Sequence, residues 1–285
     1  MTRKRIIQRI AFSLFGAISF IVVAVLFIIL GFIAIKGIRV ISWEFLTAMP
    51  DQGMTKGGIF PAIVGTACLM VGSMLFAFPI GVLSGIYINE FLKESYFKRF
   101  IRMMTDNLAG IPSIVFGLFG MALFVNYLEF GDSIIAGSLT LGLLVLPVVI
   151  RTTEEALKSV EDSLRVGSLA LGATKLQTIR KVVLPVAFPN IITGLILSIG
   201  RVSGETAPSL FTVAAYFLPR LPGSIFDQVM ALPYHLYVIT TSGTNIEESR
   251  PMAYGTALVL IFIVLMINIA ASALRKYLGK KVKMN

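Results

Sequence analysis

Six stretches without a single Asp, Glu, Lys or Arg divide the chain, at residues 10–35, 57–89, 107–128, 133–150, 182–200 and 251–274. Each is long enough to cross a bilayer, whose hydrocarbon core needs about 20 apolar residues at 1.5 Å rise per residue. The shortest, 133–150, has little length to spare, so it is expected to stand nearly upright. The pattern predicts an all-α integral membrane protein with six transmembrane helices.

Composition agrees with that pattern. Across 285 residues, 56% are hydrophobic and 14% charged, with a mean hydropathy of +0.87; soluble domains carry about 25% charged residues. The first apolar stretch follows Arg3, Lys4, Arg5 and Arg9, as a secretory signal would. Its uncharged run exceeds an h-region and no small-residue cleavage site closes it, so it is expected to stay as an anchor. The single cysteine, Cys68, lies between Gly65 and Gly72, where close helix packing is the expected role.

A net charge of +10 raises nucleic acid as a partner, and the distribution of the basic residues removes it. With the N-terminus inside, 19 of the 25 Lys and Arg fall in cytoplasmic segments: four before the first span, four at 93–102, six at 151–181 and five at 275–283. Lys36, Arg39, Lys56, Arg220 and Arg250 fall outside, and Arg201 is left within a span. The positive-inside rule then puts both termini in the cytoplasm of a multi-pass protein, surrounded by membrane lipid.

The spans suggest three parts. Residues 1–57 are an anchor helix with an external loop, expected to be semi-detached; 58–275 form the main membrane domain; 276–285 are a basic cytoplasmic tail. Trp43 in the first loop reads as an interface anchor. In the second external segment, 216–250, the apolar residues Ile225, Phe226, Val229, Met230 and Leu232 between prolines suggest a short amphipathic helix on the outer surface. His235 has no Cys, His or carboxylate at ligand spacing, which argues against a metal.

The loop between the fourth and fifth spans is the most patterned. Thr152 and Glu155 have capping-box spacing, so a helix is expected to start there. Gly172 is placed to end one helix in a left-handed turn, and Thr174 with Gln177 repeats the capping box. Leu176, Ile179, Val182 and Val183 then line one side of a second helix, which Leu184-Pro185 is expected to close. On physical grounds alone this pair is either a solvated helical loop or a docking element.

These residues resemble the ATPase-coupling loop of type I ABC importer permeases. Gly172-Ala173, followed by Val182, Leu184 and Pro185, matches the second half of that loop's pattern, whereas Val166-Gly167-Ser168 stands where Glu-Ala-Ala would. Glu154, Glu155 and Glu161 could supply acidity there, with Glu155 in the capping box. Within the fifth span, Arg201-Val202-Ser203-Gly204-Glu205-Thr206-Ala207-Pro208 resembles phosphate importer permeases of the PstA type, as does the third-span run Asn107-Leu108-Ala109-Gly110-Ile111-Pro112-Ser113. The resemblance implies one permease subunit in a bacterial plasma (inner) membrane. It also implies a related permease as heterodimer partner, two ATP-binding subunits and an external phosphate-binding protein. No G-x-x-x-x-G-K-[ST] occurs, so ATP with Mg would be bound on the partner ATPase and this chain would be no enzyme.

Arg201 lies 16 residues beyond Pro185, about 24 Å along a helix, so it is expected well inside the bilayer. Charges there are costly and default functional candidates. Glu205 follows at i+4 on the same face. One reading is an ion pair that fixes packing. The other is a substrate path in which Arg201 offers donors to an oxyanion, Glu205 neutralises it when empty, and Ser203 and Thr206 add hydroxyls. Gly200, Gly204 and Pro208 would let the span bend or admit a close neighbour, as a gate must. Sulfate, molybdate and phosphonate are the alternative cargoes, and an ion-driven secondary transporter or channel is the rival mechanism.

Overall fold

The structure is a computed structural model that describes residues 3–242 and 246–284. Its helices are α1 (Arg3–Gly37), α2 (Trp43–Thr47), α3 (Phe60–Ile86), α4 (Tyr96–Ala109), α5 (Ser113–Gly120), α6 (Ile134–Lys158), α7 (Asp162–Ala170), α8 (Lys175–Thr178), α9 (Leu184–Gly204), α10 (Ala207–Thr212), α11 (Leu232–Thr241) and α12 (Ile246–Met284). Five helical segments among the described residues have the length and apolarity of membrane spans: 7–37, 60–91, 134–158, 175–204 and 246–277.

The centre of the bundle is α3 against α6, with α9 and α12 beside them. Small residues set the α3–α6 spacing. A Cβ on Gly81 would lie 2.6 Å from Val149 Cγ1, one on Gly85 2.7 Å from Thr153 Cβ, and one on Gly142 2.6 Å from Phe76 Cδ1. In lipid no hydrophobic force draws helices together, so such close approach supplies the packing. Gly65 and Gly72, which flank Cys68, are close-packed in the same way against Met230 and Ser138.

The third expected span is broken. α4 and the limb formed by α5 with its π-helical continuation (Met121–Tyr127) meet at 96°. Pro112 lacks an N–H and drives Ile111 out of helical geometry, so the chain must turn there. α4 is turned inside out for a globular protein. Tyr96, Phe97, Phe100 and Met103 are exposed, while Lys98 and Thr105 are buried. Its apolar side therefore suits lipid, and its charged side faces the protein.

Three expectations about helix ends are corrected. No helix starts at Thr152: α6 begins after the Ser133 N-cap and runs unbroken to Lys158, and the Thr152 hydroxyl donates back to Val148 O at 2.8 Å. A threonine can satisfy itself on its own helix, so the capping-box spacing misled. Pro185 does not end the second loop helix either. A π-helical turn at Ile179–Val183 shifts the hydrogen-bond ladder, and helix is continuous from 175 to 204.

The third correction concerns residues 225–232, which form no outer-surface helix. Ala214 and Val229 pair instead, with Val229 N donating to Val213 O at 3.2 Å and Ala215 N to Val229 O at 3.0 Å. The carbonyls of Thr212, Ile225 and Asp227 accept from the N–H groups of Ser133, Ile135 and Ile134 at 2.9–3.0 Å. The first turn of α6 has no intrahelical partners for those donors, and the extended segment supplies them. Val229, Met230 and Leu232 are core residues, and α11 starts only at Leu232.

The loop between α1 and α3 is likewise part of the core rather than semi-detached. Ser42 caps α2 through Phe45 N at 3.0 Å, and Phe45, Met54 and Ile59 are buried in the main cluster. α1 itself touches the remainder through its last turns. Phe32 meets Tyr254 edge-to-face at 5.6 Å, and Gly37 lies against the Tyr254 carbonyl. Trp43 stays exposed, as an interface anchor would.

Replacing Gly85 by Val places new methyl groups on Thr153 and the Ile150 carbonyl, 2.7–2.9 Å from the built Cβ. Overpacking of this kind costs about 1–3 kcal/mol. The expected result is earlier aggregation on heating in detergent, whereas Gly16→Val, which meets nothing within 4 Å, leaves the profile unchanged.

Candidate functional site

Arg201 and Glu205 are brought together. Arg201 Nε lies 3.4 Å from Glu205 Oε1, with side chains 33% and 17% exposed. α9 ends at Gly204, however, so Glu205 is already in extended geometry (φ −77°, ψ 124°) rather than on the helix face. The ion pair thus spans the break between α9 and α10. The contact uses Nε alone among the described residues, which leaves the two terminal nitrogens of the guanidinium fork without a protein acceptor.

The other expected path residues divide. Thr206 is half-buried at the break, next to the pair. Ser203 is buried, and its hydroxyl donates to Gly200 O at 3.0 Å, so it points away from the pair. Gly204 has open space around it, and Gly200 has only Asn268 within 4 Å; neither admits a close helix within this chain. Pro208 is buried and packs α10 onto α5 at Gly117, whose Cβ would sit 3.1 Å from Pro208 Cα.

At about 100° per residue, Asn190, Thr193, Leu197, Arg201 and Gly204 share one side of α9. Leu197 and Gly204 are exposed, and Asn190 and Thr193 are engaged by Ser159 at 3.3 Å and Arg275 at 3.4 Å. A mostly polar stripe therefore descends from the ion pair along a face that this chain leaves open.

The loop between α6 and α9 has the expected glycine turn. Gly172 has φ +83°, with Gly172 N donating to Leu169 O at 3.0 Å and Ala173 N to Ser168 O at 3.2 Å. That bond pair is a Schellman C-cap, which needs the left-handed residue. The Thr174–Gln177 capping box closes at 2.9 and 3.3 Å. α7 buries no residue. Val166, Leu169 and Leu171, with Leu176 of α8, are exposed, while Ile179 and Val183 turn inward. Val182 and Leu184 are half-buried and Pro185 is exposed.

Residues 77–284 match the family described as the binding-protein-dependent transport system inner membrane component. The chain belongs to that family. It is 35% identical to the "Probable ABC transporter permease protein YqgI" of Bacillus subtilis (strain 168), over 99% of both chains. It is 37% identical to the "Phosphate transport system permease protein PstA" of Mycobacterium leprae (strain TN), over 96% of this chain and 90% of that one. The fold matches a solved bacterial alginate ABC transporter in complex with an alginate-bound periplasmic protein, with a TM-score of 0.66 at 16% identity over 97% of this chain and 96% of that one.

In this permease the acidic residues near the loop between α6 and α9 have separate fates. Glu155 and Glu161 are exposed, and Glu161 accepts from Ser163 at 3.1 Å. Glu154 is 1% exposed and held by Arg102 Nε at 2.9 Å and Arg151 at 3.5 Å. Arg102 also lies 3.7 Å from Glu94, and Arg151 3.0 Å from Asp106, so the network ties α4 to α6. The Lys98 hydrogen bond holds the Glu94 carboxyl below its ordinary value. Sequence reasoning missed this network because its partners are 52 residues apart; the one signal was a charged face on α4 beside apolar spans.

Removing the Glu154 charge leaves Arg102 and Arg151 without their shared counter-ion, a loss of about 3–5 kcal/mol for a buried pair. Glu154→Gln is expected to lower the yield of monodisperse permease on gel filtration. Glu155→Gln, at an exposed site, gives the wild-type profile.

Proposed function

We propose that this chain is the permease subunit of an ATP-driven importer of inorganic phosphate and forms half of the translocation path. The observation that carries the reading is the Arg201–Glu205 pair at the break of α9, in a permease whose relatives include proteins named as phosphate transport permeases. A tetrahedral oxyanion suits a guanidinium with two free terminal nitrogens, because the fork and the oxygens match in geometry. Glu205 is charge compensation for the empty state. It also accepts a hydrogen bond from the proton that phosphate retains at neutral pH and sulfate lacks.

The working complex joins this chain to a related permease, two ATP-binding subunits and an external phosphate-binding protein. ATP and Mg are bound on the ATPase subunits. The open stripe on α9 faces the related permease across the path, and the exposed apolar residues of α7 and α8 rest in a groove of the ATPase. Both termini lie in the cytoplasm. The unit corresponding to residues 58–275 carries the transport fold, with α1 as an added anchor and 276–285 as a basic tail.

Arg201→Gln removes the charge facing a desolvated anion, a loss of about 2–5 kcal/mol, so uptake of labelled phosphate should fall at least about thirtyfold. Assembly with the ATPase subunits stays intact. Unchanged uptake in reconstituted vesicles would reject the role of Arg201. For Glu205→Gln the measured quantity is the ratio of phosphate to sulfate inhibition of that uptake. The ratio is expected to drop, and a constant ratio places discrimination elsewhere.

Gly172→Val forces a β-branched residue into φ +83°, costing about 1–2 kcal/mol without any steric neighbour to repack. The Schellman turn then yields, and phosphate carried per ATP hydrolysed should decrease. Normal coupling in that variant would show that the turn is no hinge.

A further inference from the structure

α7 buries none of its residues, so apolar packing does not hold it to the bundle. Polar contacts do, and most of them come from one side chain. Arg165 Nη1 donates to Val160 O at 2.7 Å and meets Asp162 Oδ1 at 3.1 Å; Nη2 donates to Leu157 O at 2.7 Å and to Glu90 Oε1 at 3.0 Å. Leu157 is in the last turn of α6 and Val160 lies just past its end; the Leu157 carbonyl also accepts from Val160 N at 3.3 Å, and Arg165 adds a second donor to it. Glu90 lies in the π-helical turn Tyr87–Phe91 that ends α3, and is 8% exposed. Asn89 Nδ2 fixes the same Glu90 oxygen at 2.9 Å. A guanidinium is the side chain that can reach all of these at once from one position.

A second contact runs in parallel. Lys175 Nζ, at the start of α8, lies 5.2 Å from the centre of the Phe91 ring. Ser168 and Thr178 bridge α7 to the α8–α9 rod at 2.9 Å, across the Gly172 turn. The coupling loop is therefore attached to α3 and α6 by Arg165, and is covalently continuous with α9 through the π-helical turn.

We propose that Arg165 and Glu90 form the strut through which motion of the coupling loop reaches the α3–α6 pair, making Arg165 a positioning residue of the transport cycle. This rests on reading 162–185 as the ATPase-coupling loop. α3 and α6 are packed glycine to side chain, with no slack for sliding, so a displacement at Glu90 moves both. α9, driven from α8, carries Arg201. The strut thus sets the position of the α3–α6 pair relative to the helix that bears the ion pair.

The test uses the complete reconstituted complex with its external binding protein and measures two quantities: phosphate carried per ATP hydrolysed, and the stimulation of hydrolysis by the loaded binding protein. Arg165→Ala and Glu90→Ala should each lower both by about tenfold while the ATPase subunits copurify at wild-type stoichiometry. The Arg165–Glu90 contact is lost in all three, so the loss in the double variant should be smaller than the two single losses combined. Arg165→Lys and Glu90→Gln should fall between. Wild-type values in the single variants, additive losses in the double, or reduced copurification of the ATPase would overturn the strut. Failure of both Arg165→Lys and Glu90→Gln to assemble would do so too, assigning the contact to folding. A wild-type complex that moves another oxyanion refutes the phosphate reading only, because stimulation by that anion's binding protein still reports the strut. Wild-type transport without the ATPase would refute the coupling reading itself.

Discussion

The close approach of α3 to α6 is the constraint on which the other features depend. Between helices in lipid the gain comes from van der Waals contact and hydrogen bonds, and both fall steeply with distance. Gly81 and Gly85 on one helix and Gly142 on the other let backbones meet where any side chain would hold them apart. With that contact made, the buried Thr66 hydroxyl of α3 reaches Leu232 N at 2.8 Å, and the N-terminal donors of α6 reach the extended segment before α11. The folded-back region before α11 is thus positioned by the same two helices whose opposite ends hold Arg165. A pair so joined behaves as one body, because packed interfaces shift between discrete arrangements rather than deform.

Charge is arranged around that body with the same economy. Burying an ion is costly unless it is paired and hydrogen-bonded. Glu154 meets Arg102 and Arg151, Glu90 meets Arg165, and Lys98 meets Glu94 and the Leu92 carbonyl at 3.1 Å. All lie near the C-terminal ends of α3 and α6 and along α4. Together they explain the inverted amphipathicity of α4, which turns its aromatic side to lipid and its basic side to the acidic end of α6.

The spans were legible from charge-free runs because an unsatisfied backbone cannot be exposed to hydrocarbon, which makes hydropathy a strong signal. The Gly172 turn and the Thr174 capping box were legible because both are local, decided within four residues. The failures share one cause. Thr152 had cap spacing, yet its fate depended on α6 continuing; Pro185 had breaker chemistry, yet a π-helical turn absorbed its missing N–H; 225–232 had helical spacing, yet α6 needed its carbonyls. In each case a distant or neighbouring element competed for the same backbone groups. At the candidate site the i+4 spacing did identify the Arg201–Glu205 pair, although α9 stops one residue before Glu205. Ser203 donates to the Gly200 carbonyl of its own helix, which no spacing reports.

The position of the pair at the end of α9 has an electrostatic consequence. The last carbonyls of a helix carry partial negative charge, equivalent to about half an electron. An anion approaching the α9–α10 break meets that field and the Glu205 carboxylate, so Arg201 alone cannot make the site attractive while Glu205 stays in contact. On the proposed path, entry of a phosphate would exchange partners: the anion would take the terminal nitrogens of Arg201, and Glu205 would relax its 3.4 Å contact with Nε or accept a hydrogen bond from the phosphate proton. Because Glu205 lies in extended backbone rather than within a helix turn, it can move without unwinding α9. A carboxylate fixed in the helix would have held Arg201 closed to substrate; placed one residue beyond the helix end, it becomes a counter-ion that can yield.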